Sequence, residues 1–285
     1  MAATTQAPVL DRPPESMRPD RPEVMSQVGV STLIEIDRGV TFECLVGRHV
    51  RARNLTTGLV TIRASAGLPY HTHPFGEAIT VLQGRAVVGV QGRVYELGPL
   101  DNIVIPRELA HTASNPSDQD AVLHIAMASH APTRTLVEDR FTQQAMSTDS
   151  TGQPGAERVN RQATAPRFAA GPGTEFIDFF NVDLLPNIEM SGGYGLFHPG
   201  GRLPAHVHDF DESISIIDGA ATCIVEGKRY TLSRCATALV PRGRVHYFIN
   251  DSQATMAMIW VYAGPRPERI IVAERCATIE GSPWK

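Results

Sequence analysis

The stretch Gly200–Gly219, GGRLPAHVHDFDESISIIDG, sets His206, His208 and Glu212 between two glycines. The stretch Ser65–Gly84, SAGLPYHTHPFGEAITVLQG, sets His71, His73 and Glu77 at the same offsets and ends on Gly84. The two lie 135 residues apart, and the register continues beyond them. Pro106, His111 and Asn115 follow in the first copy; Pro241, His246 and Asn250 follow in the second. Chance does not repeat four potential metal ligands at fixed spacing, so the chain reads as the duplication of one domain.

These residue types suit a metal. Residues i and i+2 of a strand face the same way, so His71 and His73 point together, as do His206 and His208. The glutamate starts the next strand after a short bend, and a later hairpin returns the last histidine. Three imidazoles and one carboxylate suit Fe(II), Mn(II), Co(II), Ni(II) or Zn(II). Four protein ligands leave a six-coordinate ion two open positions for water, a bidentate substrate, or substrate plus dioxygen. No cysteine lies near either set, which argues against structural zinc.

Residues 1–25 read as a proline-rich arm (Pro8, Pro13, Pro14, Pro19, Pro22) that cannot hold a helix. Disorder is expected there, with draping over a neighbouring subunit as the alternative. Residues 26–141 form the first domain, 142–165 a polar linker and 166–285 the second domain. Short Val- and Ile-rich runs predict strands. In the first copy these are Leu59–Ile62, Ala78–Leu82, Ala86–Val90, Ile103–Ile105 and Ala121–Met127. In the second they are Glu175–Val182, Tyr194–Phe197, Ser213–Ile217, Thr222–Val225, Ala238–Val240 and Met256–Tyr262. Gln83-Gly84 and Gln91-Gly92 supply tight turns, and Glu138–Ala145 is expected to form one or two helical turns. The fold class is all-β: two tandem sandwiches or barrels.

Bulk properties narrow the function. A net charge of −4 gathers no phosphates, so nucleic acid is not an expected partner. No apolar run approaches the ~20 residues that span a bilayer, and no secretory signal is visible at the start. A cytoplasmic protein acting on a small molecule, with free thiols at Cys44, Cys223, Cys235 and Cys276, is expected.

The spacing resembles the two motifs of the cupin superfamily, and two copies in one chain resemble a bicupin. The first family motif is Gly-x5-His-x-His-x3,4-Glu-x6-Gly. Gly200, His206, His208, Glu212 and Gly219 match it in full, whereas Ser65 stands where the first copy needs its leading glycine. The second motif closes Pro-x-Gly-x2-His-x3-Asn. Pro241, Gly243, His246 and Asn250 satisfy it, while Glu108 replaces the glycine in the first copy. Its leading glycine is absent from both, where Leu100 and Cys235 stand. The resemblance implies two jelly-roll barrels, each binding a divalent transition metal, so up to two per chain. Fe(II) is the first choice, with Mn(II), Ni(II) or Zn(II) as alternatives. Homodimerisation is a further possibility.

The resemblance extends to bicupin dioxygenases and oxalate-type decarboxylases. The leading expectation is a dioxygenase acting on a small polar or phenolic molecule, with Glu77 or Glu212 doubling as a proton acceptor. A non-oxidative decarboxylase, isomerase, lyase or hydrolase is the alternative; it needs a separate acid or base, for which Asp211, Glu108 and His198 are the nominees. A non-catalytic binding cupin is the third reading, opposed by the retention of all eight ligands. Asp209, like Asp211, flanks Phe210 beside the second site. Arg107, Arg242 and Arg244 are candidate carboxylate clamps, set against solvated surface arginines. Phe248 shares the ligand's parity, Asn250 is expected to fix a turn, and Trp260 and Tyr262 read as packing. With its fuller motif and extra acids, the second copy is expected to carry the chemistry.

Overall fold

The computed structural model describes residues 8–150, 152–153 and 155–285; the first seven residues of the arm, with Thr151 and Pro154 of the linker, lie outside it. Each run read as a strand above falls in or overlaps one. Branched residues alternate along them, so one face enters a barrel and the other meets a neighbouring sheet. Among the described residues the only helical pieces are three short 3-10 turns, at Glu15–Met17, Arg48–Val50 and Glu274–Ala277.

The first barrel pairs two sheets. One runs Arg158–Asn160, Asn102–Ile105, Glu77–Gln83, Ala121–Met127, Thr56–Ile62, Val40–Val46, Leu33–Asp37. The other is built on Gly67–Thr72, His111–Ser114, Ala86–Val90 and Arg93–Leu97. The second barrel repeats the plan. Ala236–Val240, Glu212–Asp218, Met256–Tyr262, Ser191–Phe197 and Thr174–Phe180 form one sheet; Lys228–Ser233, Ala220–Val225, His246–Ile249 and His206–Val207 form the other. The chain is thus all-β, with two jelly-roll barrels. Ile177, Phe179, Phe180, Tyr194 and Ile259 of the second pack against Leu55, Ala78, Val104 and Ala126 of the first, making a third core between the barrels.

The arm and the linker differ from expectation. Val24–Gln27 pairs antiparallel with Ala236–Val240, so the arm completes the second barrel's sheet. Arg158–Asn160 pairs with Asn102–Ile105 and completes the first. Each barrel therefore takes an edge strand from the segment that precedes the other barrel, and edges left bare would be templates for association. The exchange is anchored alike at both ends. Buried Glu157 accepts from Arg93 and Tyr95; buried Glu23 accepts from Lys228 and Tyr230. Composition hid this order because one buried carboxylate per segment, not a run of apolar residues, holds each in place.

No helix forms at Glu138–Ala145. Eight residues without an apolar face cannot sustain one, and the backbone is satisfied on the first barrel instead. Val137 N–H donates to Tyr70 O at 2.9 Å and Gln144 N–H to Gly92 O at 2.8 Å.

The replaced motif glycines keep glycine's backbone. Ser65 (φ 60°), Leu100 (φ 66°), Glu108 (φ 63°) and Cys235 (φ 69°) all sit in the left-handed region, where side chains are rarely tolerated. At Gly243 the glycine is required, since a Cβ there would lie 1.7 Å from the Met17 carbonyl oxygen of the arm. Glu108, by contrast, is exposed.

Candidate metal centres

Strand pairing assembles each ligand set. His71 lies opposite His111 in one sheet of the first barrel, and His206 lies opposite His246 in the second. Glu77 and Glu212 open strands of the facing sheets. In each cluster, one ligand atom from each of the four buried residues lies within 4.8 Å of all the others. The two clusters are nearly congruent: ring centroids are 4.3 Å apart for His71–His111 and for His206–His246.

Every ligand imidazole is oriented from behind. Nδ1–H donates to a carbonyl in all six: Pro69, Thr133 and Leu109 in the first barrel, Pro204, Glu268 and Arg244 in the second. A carbonyl only accepts, so each Nδ1 carries a proton and Nε2 is the nitrogen turned toward the cluster, as metal ligation requires. Nε2 of His206 is buried without a hydrogen-bond partner, and Nε2 of His208, also without a hydrogen bond, lies 3.2 Å from Glu212 Oε2. Unmet acceptors of this kind converging beside a carboxylate fit a divalent cation.

Electrostatics agree with that fit. Burial, reinforced by His111, lowers the pKa of His71 to about 4; burial lowers those of His206 and His208 as well. Burial opposes ionisation of Glu77, but the His111 hydrogen bond and the surrounding imidazoles outweigh it and bring its pKa to about 2. Glu212 is likewise held at about 2: burial opposes, and His208 and His246 prevail. Burial opposes protonation of His111, but its hydrogen bond to Glu77 and that carboxylate's charge prevail and raise its pKa. Metal binding needs the imidazoles neutral around an ionised carboxylate, so an ion entering the first cluster would displace that proton.

The surroundings of the two clusters differ. In the first barrel a cavity of about 220 Å³ opens onto all four ligands, walled by Phe42, Val60, Ile79, Ile125 and Met127. Arg134 also lines it, tethered by Nη2–H to Ile36 O, with Nη1 buried and unpartnered. In the second barrel the same register positions carry Trp260 for Ile125, Tyr262 for Met127 and Phe248 for Ala113. The Tyr262 ring lies 4.3 Å from His208, and Phe210 stacks on His208 at 5.3 Å while lying 5.1 Å from Tyr262. Burial, then the charge of Glu212, pushes the Tyr262 phenol well above its ordinary range, so it stays protonated.

The nominated acids and bases fall elsewhere. Asp211 is buried against Arg21 of the arm and also accepts from the backbone N–H of Arg53 (2.8 Å) and Arg242 (3.1 Å), so no lone pair is left for proton transfer. His198 lies on the exterior, paired at 2.9 Å with exposed Glu175. Asp209 pairs with Arg242, Arg107 with Glu189, and Arg244 with Glu226, all away from the ligands. Glu108 is exposed. Phe248 fills the second core. Asn115 and Asn250 each tie a turn, donating to Ile62 O and Phe197 O respectively at 3.0 Å. Arg134 was not singled out in the sequence, although Pro132 and Arg134 recur as Pro267 and Arg269 at the same offset.

The cupin domain model matches residues 58–127 and 193–262, one match on each barrel. The chain is a two-domain cupin. A 72-residue stretch is 38% identical to part of endoribonuclease YbeY of Myxococcus xanthus; the match covers 25% of this chain and 24% of that protein. This bicupin thus aligns with about a quarter of that relative's length. Among solved structures, oxalate decarboxylase of Lactobacillus farciminis superposes with TM-score 0.70 at 13% identity, over 87% of this chain and 88% of its own. Oxalate decarboxylase of Bacillus subtilis superposes with TM-score 0.70 at 14% identity, over 91% and 81%. At such identity the likeness is one of fold. Among the described residues of the bicupin, no helix is long and apolar enough to cross a membrane.

Proposed function

We propose that the first barrel is the reaction centre of a metal-dependent oxidoreductase of dioxygenase type. Its substrate would be a small molecule with an apolar or aromatic body and oxygen donors at one end. The observation carrying this reading is the 220 Å³ cavity, aliphatic on its walls, that reaches His71, His73, Glu77 and His111. A cavity of about 150 Å³ already accepts benzene, so a substituted ring fits, as a phenol or a cyclic diketone would present. His71, His73, Glu77 and His111 would hold an ion, with Fe(II) the first choice, which would supply Lewis acidity and redox chemistry toward dioxygen.

The residues have separable tasks. Phe42, Ile79 and Ile125 exclude water and hold the apolar body. Arg134 directs its free Nη1–H toward a substrate oxygen. Glu77 is the one carboxylate lining the cavity, so any proton taken from a substrate hydroxyl passes to it. The second cluster, beside Tyr262, would be a structural centre.

A non-oxidative decarboxylase is the second reading. The free Nη1 of Arg134 supports it, because a carboxylate would satisfy that donor. Oxalate itself, small and polar throughout, would leave the aliphatic walls unused. Oxygen uptake by the Fe(II)-loaded chain with catechols and diketones tests the first reading. Uptake that requires the ring substrate supports it; carbon dioxide release from a carboxylate under argon, without oxygen uptake, overturns it in favour of the second.

A further inference from the structure

In a chamber that no metal ligand lines, the second barrel holds three polar atoms with nothing to bond. Trp260 is only 3% exposed, yet its indole N–H has no partner. Arg269 Nη1 and Asp178 Oδ1 are buried and unpaired in the same way. All three residues line one chamber of about 150 Å³. No metal ligand lines it; Tyr262 does, with its ring against His208. Buried polar groups in native proteins are almost always bonded, and three converging exceptions describe the complement of a ligand.

We propose that this chamber binds a small 2-hydroxycarboxylate. Its carboxylate accepts from Trp260 Nε1–H and Arg269 Nη1–H, and its hydroxyl donates to Asp178 Oδ1. One cation and one acidic side chain match a monoanion that also carries a donor. The chamber holds its parts in place: Asn181 Nδ2–H donates to Asp178 Oδ2 at 3.3 Å, and the guanidinium of Arg269 lies 6.0 Å from the Phe176 ring centroid. The volume admits nothing much larger than a benzene ring. Phe168, 43% exposed, forms the lip through which a ligand enters. The first barrel cannot make this site. By strand register, Cys44 stands there for Asp178 and Ile125 for Trp260.

Trp260 reports on its own ligand. The chain has two tryptophans, so Trp284→Phe leaves Trp260 as the only indole. Lactate titrated into that full-length, metal-loaded variant should change its emission saturably. Acetate, lacking the hydroxyl, and lactamide, lacking the charge, should each bind at least about tenfold more weakly. Arg269→Met should abolish the response, and Asp178→Ala should reduce lactate to the affinity of acetate, both with metal content intact. Equal affinity for lactate and acetate, or binding indifferent to Arg269→Met, overturns the proposal. Should either variant fail to fold, crystals of the unaltered chain soaked in lactate decide. Carboxylate density between Trp260 and Arg269 supports the site; ordered water alone, with no emission change at tens of millimolar, refutes it.

Discussion

The two barrels share a ligand set and differ in what surrounds it. In the first, Ala113, Ile125 and Met127 leave a cavity that reaches the ligands; in the second, Phe248, Trp260 and Tyr262 occupy those positions. Four ligands specify only that a metal can bind. The side chains one layer out decide whether anything else can reach it. The motif comparison pointed the other way, because the second copy has the fuller glycine pattern and more nearby acids. Those acids serve the architecture: Asp211 anchors the arm through Arg21, and Asp209 holds Arg242.

The largest expected effect separates the two centres. His71→Ala and His206→Ala should each remove about one metal equivalent by elemental analysis. His71→Ala should also lower turnover at least about a hundredfold, a loss that removing even a ligand's supporting group can reach, while His206→Ala leaves turnover nearly intact. Loss of turnover in His206→Ala alone would return the chemistry to the second barrel.

Exchanging the layer around the ligands comes next. Ile125→Trp with Met127→Tyr should fill the first cavity and abolish substrate binding while both metals stay bound, at a cost of about 1–3 kcal/mol for overpacking. The reverse exchange, Trp260→Ile with Tyr262→Met, should open the second barrel and destabilise it by about 3–5 kcal/mol in denaturant melts. Activity that survives the first exchange would show that the cavity is not the substrate site.

The strand exchange predicts that Arg21→Met, which leaves Asp211 buried without its partner, costs about 3–5 kcal/mol. The loss should appear in the second barrel although the mutation precedes the first. Hydrogen exchange at Ala236–Val240 reads this directly; slowed or unchanged exchange there would mean that the arm contributes no stability.

A smaller effect lies between the barrels. His124 is buried on Ser215, and burial lowers its pKa to about 4. From pH 6.5 down to 4 the unfolded chain binds this proton and the folded chain does not, so stability falls as pH falls through that window. His124→Ile, which installs the residue found at Ile259 in the second copy, should remove on the order of 3 kcal/mol of that pH dependence. The same slope before and after would place its cause elsewhere. His198→Ala, on an exposed pair, should leave turnover and melting unchanged.

Much of this was legible in the sequence. The duplication, the all-β class, the two clusters of three histidines and a glutamate and most strands follow from residue type and spacing. The arm was not legible, because its order rests on Arg21 and Glu23, which meet partners some 190 and 205 residues away. The open cavity was not legible either: it depends on summed side-chain volumes from several strands, and no single strand's pattern carries that sum. Trp260 and Tyr262 were read as packing and are buried in the second barrel's core, yet it is their size against Ile125 and Met127 that sets the two barrels apart.

The most direct test of that difference needs no substrate. With Mn(II) loaded into His206→Ala, only the first centre is filled; in His71→Ala, only the second. Water-proton relaxation in the two samples reports solvent access to each ion. High relaxivity in His206→Ala, falling when catechol is added, with low relaxivity in His71→Ala, is the predicted result. Equal or reversed values would contradict the assignment of the open, working centre to the first barrel.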